Sequence, residues 1–339
     1  MKDLRNRKRT RPGLVESIKN GTTVPIISDE AIFAQALRGH NSLVETYCDY
    51  AGYTLSDTDN LPRIARFYKL KKQKEERDEG RDFDNDDLRA DYLFFVKNFL
   101  YAYAEEQGAS QDVLDEAEAQ YLKTTATEFA RLLGYPRLDQ ETGHPLLILA
   151  NLPFKVYLTT SPYTFLESAL SKAGKTPRTS VIRWRPELRD LIDEGPPPDP
   201  ELKPHKNPLV CHLFGLDEYS KSLVLTEDDY LAYLVDVSTA RGDDSRDSVP
   251  AEVRRALSGD LLVLGMSLNS WTFRALYAGL IKSDDRRKDK RGIAVQLPPS
   301  AEEEAYFQDY LQRETPFEPI WKDFPEYAKE LEQIRREIK

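Results

Sequence analysis

Leu261-Leu262-Val263-Leu264-Gly265 is an apolar run with no polar residue to mark a solvent face, closed by glycine. A half-buried strand alternates in character, whereas an unbroken apolar strand needs cover on both faces, which is the condition of strands in parallel sheets flanked by helices. Thr22 to Ile27, Pro153 to Thr160 and Ile293 to Leu297 carry related signals, and each leads into residues that favour a turn or a helix. Strand and helix in alternation predict a doubly wound α/β fold with a mostly parallel, Rossmann-like sheet. Pro25 marks the first of these strands as an edge or an irregular start.

Within this frame one stretch draws attention. An apolar run, Leu209 to Val210, reads as a strand that carries His212 to its end, and Gly215 turns the chain. A second apolar run, Leu223 to Leu225, closes on Thr226, which with Asp229 has the spacing of a helix cap. A histidine at a strand end ahead of a helix lies where ligands bind in open α/β sheets.

Elsewhere the reading is coarser. Leu14, Val15 and Ile18 mark a short helix ended by Asn20-Gly21, and Ser28-Asp29-Glu30 opens a helix after the first strand. From Ser42 to Leu133 the periodicity is helical throughout, with Leu61, Ile64, Ala65 and Tyr68 on one face and Leu88, Tyr92, Phe95, Phe99 and Tyr103 on another. Lys69 to Asp87 is densely charged and reads as a solvated helix continuation or a loop. Pro162 to Ala173, Val249 to Leu257, Asn269 to Ile281, Glu302 to Gln312 and Phe324 to Ile338 read as helices, and Val181 to Trp184 as a short strand. Glu194 to Pro208 is a proline-rich loop, and Ile293 to Leu297 is expected to be the last strand. The organisation that follows is a basic tail (1–13), a first βα unit (14–41), a helical insertion or cap (42–133), the rest of the α/β core (134–322) and a C-terminal helix (323–339).

Charge and cysteine usage narrow the function. A formal net charge of −10 over 339 residues disfavours general nucleic-acid binding, leaving the Lys2 to Arg11 cluster as either a solubilising tail or a local electrostatic contact with nucleic acid or an acidic partner. Two cysteines, Cys48 and Cys211, build neither a disulfide framework nor a four-cysteine zinc site and point to a reducing compartment, the cytoplasm. No run is long enough to cross a bilayer, and the N-terminus has no apolar segment of the secretory kind.

The order of segments carries a resemblance. Tyr157-Leu158-Thr159-Thr160 with Phe165-Leu166-Glu167, then Val210-Cys211-His212-Leu213-Phe214-Gly215, Leu223 to Tyr230, Leu262 to Leu268 with Phe273-Arg274, and Ile293 to Pro298 together resemble sirtuin-like proteins of the bacterial, non-deacylase branch. The likeness covers roughly residues 14 to 320 and is best from Leu147 onward. It implies a sheet that binds nicotinamide adenine dinucleotide (NAD) at its carboxyl edge. It also implies an effector of antiviral defence that cleaves the nicotinamide–ribose bond, with a degenerate interaction or sensing module as the alternative. A second copy or another protein of the defence system is the expected partner.

By that resemblance His212 is the proton acceptor, a role suited to an imidazole, and Ser161 stands where the family has an asparagine. Ser28, Asp29, Thr160, Gly265, Ser267 and Asn269 fall at cofactor-contacting positions; Asn269 and Ser270 read equally as a plain helix cap. Two departures stand out. The glycine-rich turn after the first strand is here Ser28-Asp29-Glu30, whose carboxylates either repel phosphate or simply complement the helix dipole, and Ser161-Pro162 replaces the asparagine element. A Ser161, His212 and Asp217 triad can be written down but has no geometric support in the sequence. Glu227, Asp228 and Asp229 read as dipole-compensating acids rather than a metal site. His40, His144 and His205 have no partner that the sequence identifies.

Overall fold

A computed structural model describes residues 13–37, 43–138, 143–193, 196–239, 247–268, 270–282, 292–297 and 317–338. The tail ahead of Gly13, the stretch from Asp284 to Arg291 and the helix expected over Glu302 to Gln312 lie outside them, as do His40 and Asn269.

After helix α1 (residues 13–19), strand β1 (Thr23–Ile27) leads into α2 (Asp29–Ala36). Between residues 43 and 133 come α3 (Leu43–Ala51), α4 (Leu61–Asp78), α5 (Asn85–Glu106), α6 (Gln111–Gln120) and α7 (Ala126–Leu132), the helical run that the periodicity predicts. The charged segment after Lys69 continues α4 as far as Asp78. Then follow α8 (Pro145–Ala150), β2 (Val156–Thr159), α9 (Phe165–Lys172), β3 (Arg178–Val181), α10 (Pro186–Leu191) and β4 (Leu209–His212). The chain ends with α11 (Glu227–Thr239), α12 (Ala251–Leu257), β5 (Asp260–Leu264), α13 (Trp271–Leu276, extended by a π turn to Ile281), β6 (Gly292–Gln296), β7 (Phe317–Trp321) and α14 (Phe324–Ile338).

The strands form a single seven-stranded parallel sheet in the order β3-β4-β2-β1-β5-β6-β7. Period 2 along each strand sends alternate side chains to opposite faces, and both faces are covered. Ile27, Tyr157, Val210, Leu262 and Val295 belong to one buried cluster, with α2 to α9 and α14. Ile26, Leu158, Cys211, Val263 and Ala294 belong to the other, with α10 to α13. Unbroken apolar strands are the consequence of this two-sided cover.

Three sequence expectations shift. β1 is central, not an edge: Pro25 pairs in register with Leu262 of β5, and β2 pairs only with Ile26 and Ile27, so proline sits where one flank of the strand is open. The strand near Val181 begins earlier, at Arg178, whose buried guanidinium is bonded by Glu252 Oε1 at 2.8 Å and so tolerates a strand position. β6 is followed by β7, an edge strand whose Glu318 and Pro319 conceal it from a search for apolar runs. The second apolar run, Leu223 to Leu225, forms an irregular strap, held by Val224 N–H donating to Phe214 O at 3.0 Å.

Candidate functional site at the carboxyl edge

Parallel strands bring all their carboxyl ends to one edge, and β1 lies at the point where the strand order reverses, between β2 and β5. Crevices form there because the connections leave in opposite directions. The residues after β1, β2 and β5, together with the end of β4, form one hydrogen-bonded group.

Ser28 caps α2: its Oγ accepts from Ala31 N–H at 3.1 Å and donates to Gly265 O at 2.8 Å. Gly265 has φ +71°, and a Cβ there would lie 2.5 Å from the Ala31 Cβ, so both backbone and close approach demand glycine. Asp29 N–H donates to Thr160 Oγ1 at 2.9 Å, fastening α2 to the end of β2. Ser161 N–H is held by Thr159 Oγ1 at 3.0 Å, and Ser161 Oγ accepts from Tyr163 N–H at 3.3 Å.

His212 is fully buried at the end of β4, beside Thr159 in the register. Its Nδ1 lies 2.6 Å from Ser161 O and its Nε2 2.9 Å from Glu167 Oε1. A carbonyl only accepts, so Nδ1 carries a proton. Burial works against the charged ring, but the charge and hydrogen bond of Glu167, with the Ser161 carbonyl, outweigh it and raise the pKa above the ordinary imidazole value. Glu167 Oε1 also accepts from Thr179 Oγ1 at 3.0 Å, while its Oε2 is buried without a hydrogen-bond partner.

Asp29 is the second titratable group of this edge. Burial, then the neighbouring Glu30, pushes its carboxyl up to about 7, against the opposing pull of the Ser161 hydroxyl and His212. Its Oδ1 is buried and has no hydrogen-bond partner. The buried phenols Tyr92 of α5, Tyr163 and Tyr230 of α11 all feel this carboxylate and are driven toward their neutral forms by burial and then, among other charges, by Asp29. The helical run thus supplies part of the cover over the strand ends.

A cleft of about 510 Å³ opens beside this group, lined by Thr179, Val181, Ile192, Leu216, Glu218 and Tyr219. His212 is not on its wall but is linked to it through Glu167 and Thr179. The volume lies in the range of small-molecule sites, roughly 300–1,000 Å³.

Six of the expected site residues therefore come together: Ser28, Asp29, Thr160, Ser161, His212 and Gly265. Ser267 is exposed, and its carbonyl accepts from Ser270 N–H and Oγ as part of the turn into α13. The Ser161, His212 and Asp217 triad is not formed, because His212 meets the Ser161 carbonyl rather than its hydroxyl and Asp217 Oδ2 accepts from Thr127 N–H at 2.6 Å. Glu227 to Asp229 open α11, and no group of His, Cys, Asp and Glu suited to a metal occurs among the described residues. Glu167 escaped the sequence reading; its signal would have been an acid two residues into a helix that starts beside the histidine strand.

A family model described as the SIR2-like domain matches residues 155–314. A search of curated proteins found no match. The matched segment runs from β2 past β6 and contains Thr160, Ser161, Glu167, His212 and Gly265; Ser28 and Asp29, on β1 and α2, precede it although they belong to the same sheet edge. Segment order, parallel sheet and family match agree: over residues 155–314 this chain is similar to the SIR2-like domain.

Proposed function

We propose that the carboxyl edge binds NAD and that Asp29, Ser161 and the His212–Glu167 pair act on its nicotinamide–ribose bond. The observation that carries this reading is a pair of buried carboxylate oxygens without partners, Asp29 Oδ1 and Glu167 Oε2, at the switch point of a SIR2-like sheet. Buried acceptors of this kind call for donors, and ribose hydroxyls and a carboxamide N–H are donors. The same residues make a poor phosphate cradle: Asp29 N–H and Ala31 N–H at the start of α2 are already taken by Thr160 and Ser28. Recognition through the riboses, with the pyrophosphate less closely held, fits this chain.

Cleavage of the glycosidic bond develops positive charge on the ribose, and a nearby carboxylate stabilises it. Asp29, with its carboxyl at about 7, is ionised in an appreciable fraction at neutral pH and can take a proton from a ribose hydroxyl or from water. His212 can accept a proton in the same step only after Nε2 has passed its own proton to Glu167 and turned from that carboxylate; in the present arrangement its ring holds the Ser161 loop in place. Depletion of the dinucleotide is the outcome expected of an effector in antiviral defence.

A second reading is favoured by one observation. Both ring nitrogens of His212 are engaged and the ring is fully buried, as in a histidine retained for structure. On that reading the protein is a sensing or interaction module that binds without turnover.

A time course of free nicotinamide released from NAD separates the two. The catalytic reading expects release by the wild type, a loss of at least tenfold in Asp29→Asn and a loss in His212→Ala. A rise in melting temperature with NAD but no release from folded protein supports the sensing reading. Neither release nor stabilisation would remove NAD from the account.

A further inference from the structure

The opposite, amino-terminal edge of the sheet carries a concentration of positive charge in a chain of formal net charge −10. There a cavity of about 240 Å³ lies between the residues that precede β2, β3 and β4 and the last turns of α14. Lys175, His205, Lys206 and Arg335 are on its wall. Arg335 is neutralised by Glu332, to which it donates twice at 2.6 Å. Among the described residues the others have no such acid. Lys175 is 9% exposed and donates to Leu152 O at 2.6 Å and Tyr157 Oη at 3.3 Å, which leaves one of the three protons of an ammonium uncommitted. Lys203 and Lys206 are exposed, and Lys155 adds a further positive charge near His205.

We propose that this cavity is a binding site for a phosphoryl anion of the size of pyrophosphate, separate from the dinucleotide edge. Burying an ammonium without a counter-ion is unfavourable, and a group left this way shifts toward neutrality. Lys175 does so: burial and then Lys206 push it down to about 8. His205 is likewise held below the usual imidazole value, first by burial and then by Lys175, Lys203, Lys206 and Lys155. A dianion between them reverses each of these penalties at once. The cavity is small for a whole nucleotide but holds one or two phosphoryl groups, with any nucleoside remaining outside it.

Calorimetric titration of the full chain with inorganic pyrophosphate at low ionic strength is the test, with inorganic phosphate and ADP as separate arms. The expected result is saturable binding that weakens at least tenfold in Lys206→Glu, at an exposed position, and in Lys175→Met. Binding should also fall steeply with added salt. Tighter binding of pyrophosphate than of ADP assigns the inorganic anion as ligand, and the reverse assigns the terminal phosphates of a nucleotide. Asp29→Asn must leave pyrophosphate binding intact, which separates this site from the dinucleotide edge. No saturable binding by the folded wild type, equal affinity in Lys206→Glu, or binding of a single-stranded oligonucleotide where pyrophosphate gives none would each overturn the proposal.

Discussion

Asp29 and His212, which interact electrostatically at the carboxyl edge, have pKa values moved in the same direction for different reasons, and each makes stability depend on pH in its own window. Asp29 holds its proton up to about 7 in the folded protein, whereas the unfolded chain releases it near the ordinary carboxylate value of about 4. Between those limits the native state binds more protons, so folding stability falls as pH rises and then levels off above neutrality. Asp29→Asn removes the effect. We expect it to be neutral at pH 4 and stabilising by about 1–2 kcal/mol at pH 8, a discount from the full linkage value because the residue is partly exposed. Urea unfolding across this range checks the sign; a constant difference between variant and wild type would refute it. For His212 the folded value is raised, so its contribution is complete below about pH 6.5 and is lost as pH climbs through the folded pKa. His212→Ala strands Glu167 as a buried acid and is expected to lose about 3–5 kcal/mol at pH 6, with a smaller loss at pH 9.

At the scale of elements, one side chain joins the helical run to the strap that follows the histidine strand. Arg89 of α5 is fully buried; its Nε donates to Leu223 O at 2.9 Å and its Nη2 to Asp229 Oδ1 at 2.6 Å. The other oxygen of Asp229 accepts from Leu225 N–H and Thr226 N–H, both at 3.1 Å, so a single carboxylate caps α11 and receives the guanidinium. Breaking one side of a buried pair typically costs about 3–5 kcal/mol. Arg89→Ala should therefore speed hydrogen exchange in α5 and in the first turn of α11, leaving the central amides of β5 protected longest. Uniform acceleration across the sheet would mean that the helices and the sheet open together and that Arg89 is no separate clasp. The capping pair Thr226 and Asp229 was legible from spacing alone, since Asp229 N–H does donate to Thr226 Oγ1 at 3.2 Å. The role of Arg89 was not, because its partners in the strap and in α11 lie 134 and 140 residues away in sequence.

For the molecule as a whole, strands buried on both faces were readable and strands at the margin were not. β5 and β6 announce themselves through apolar runs because the sheet covers them twice; Leu262→Ala, at a fully buried position in β5, is expected to lose about 2–5 kcal/mol in denaturant unfolding. Edge strand β7 exposes part of each of its last residues and carries a proline, so it lacks that signature. The site divides in the same way. His212 and Gly265 stand at strand ends and could be located from the alternation, whereas Glu167 meets His212 only after β2 and β4 have paired. Asp29 read either as a cofactor-contacting residue or as a helix-start acid, and only the cover supplied by α5 and α11 buries its carboxyl oxygen.

The central place of β1 has a consequence for how the protein is made. β1 is synthesised first, yet the strand on its second flank arrives late: Ser28 and its partner Gly265, just beyond the paired strands, are 237 residues apart. At a synthesis rate of about 5–20 residues per second, that flank waits roughly 10–50 seconds on the ribosome. During that time an apolar strand with open donors and acceptors is available to any other chain. Pro25 removes one donor from the other flank, where β2 reaches only Ile26 and Ile27, so before its neighbours arrive β1 offers a foreign chain fewer partners than its length implies.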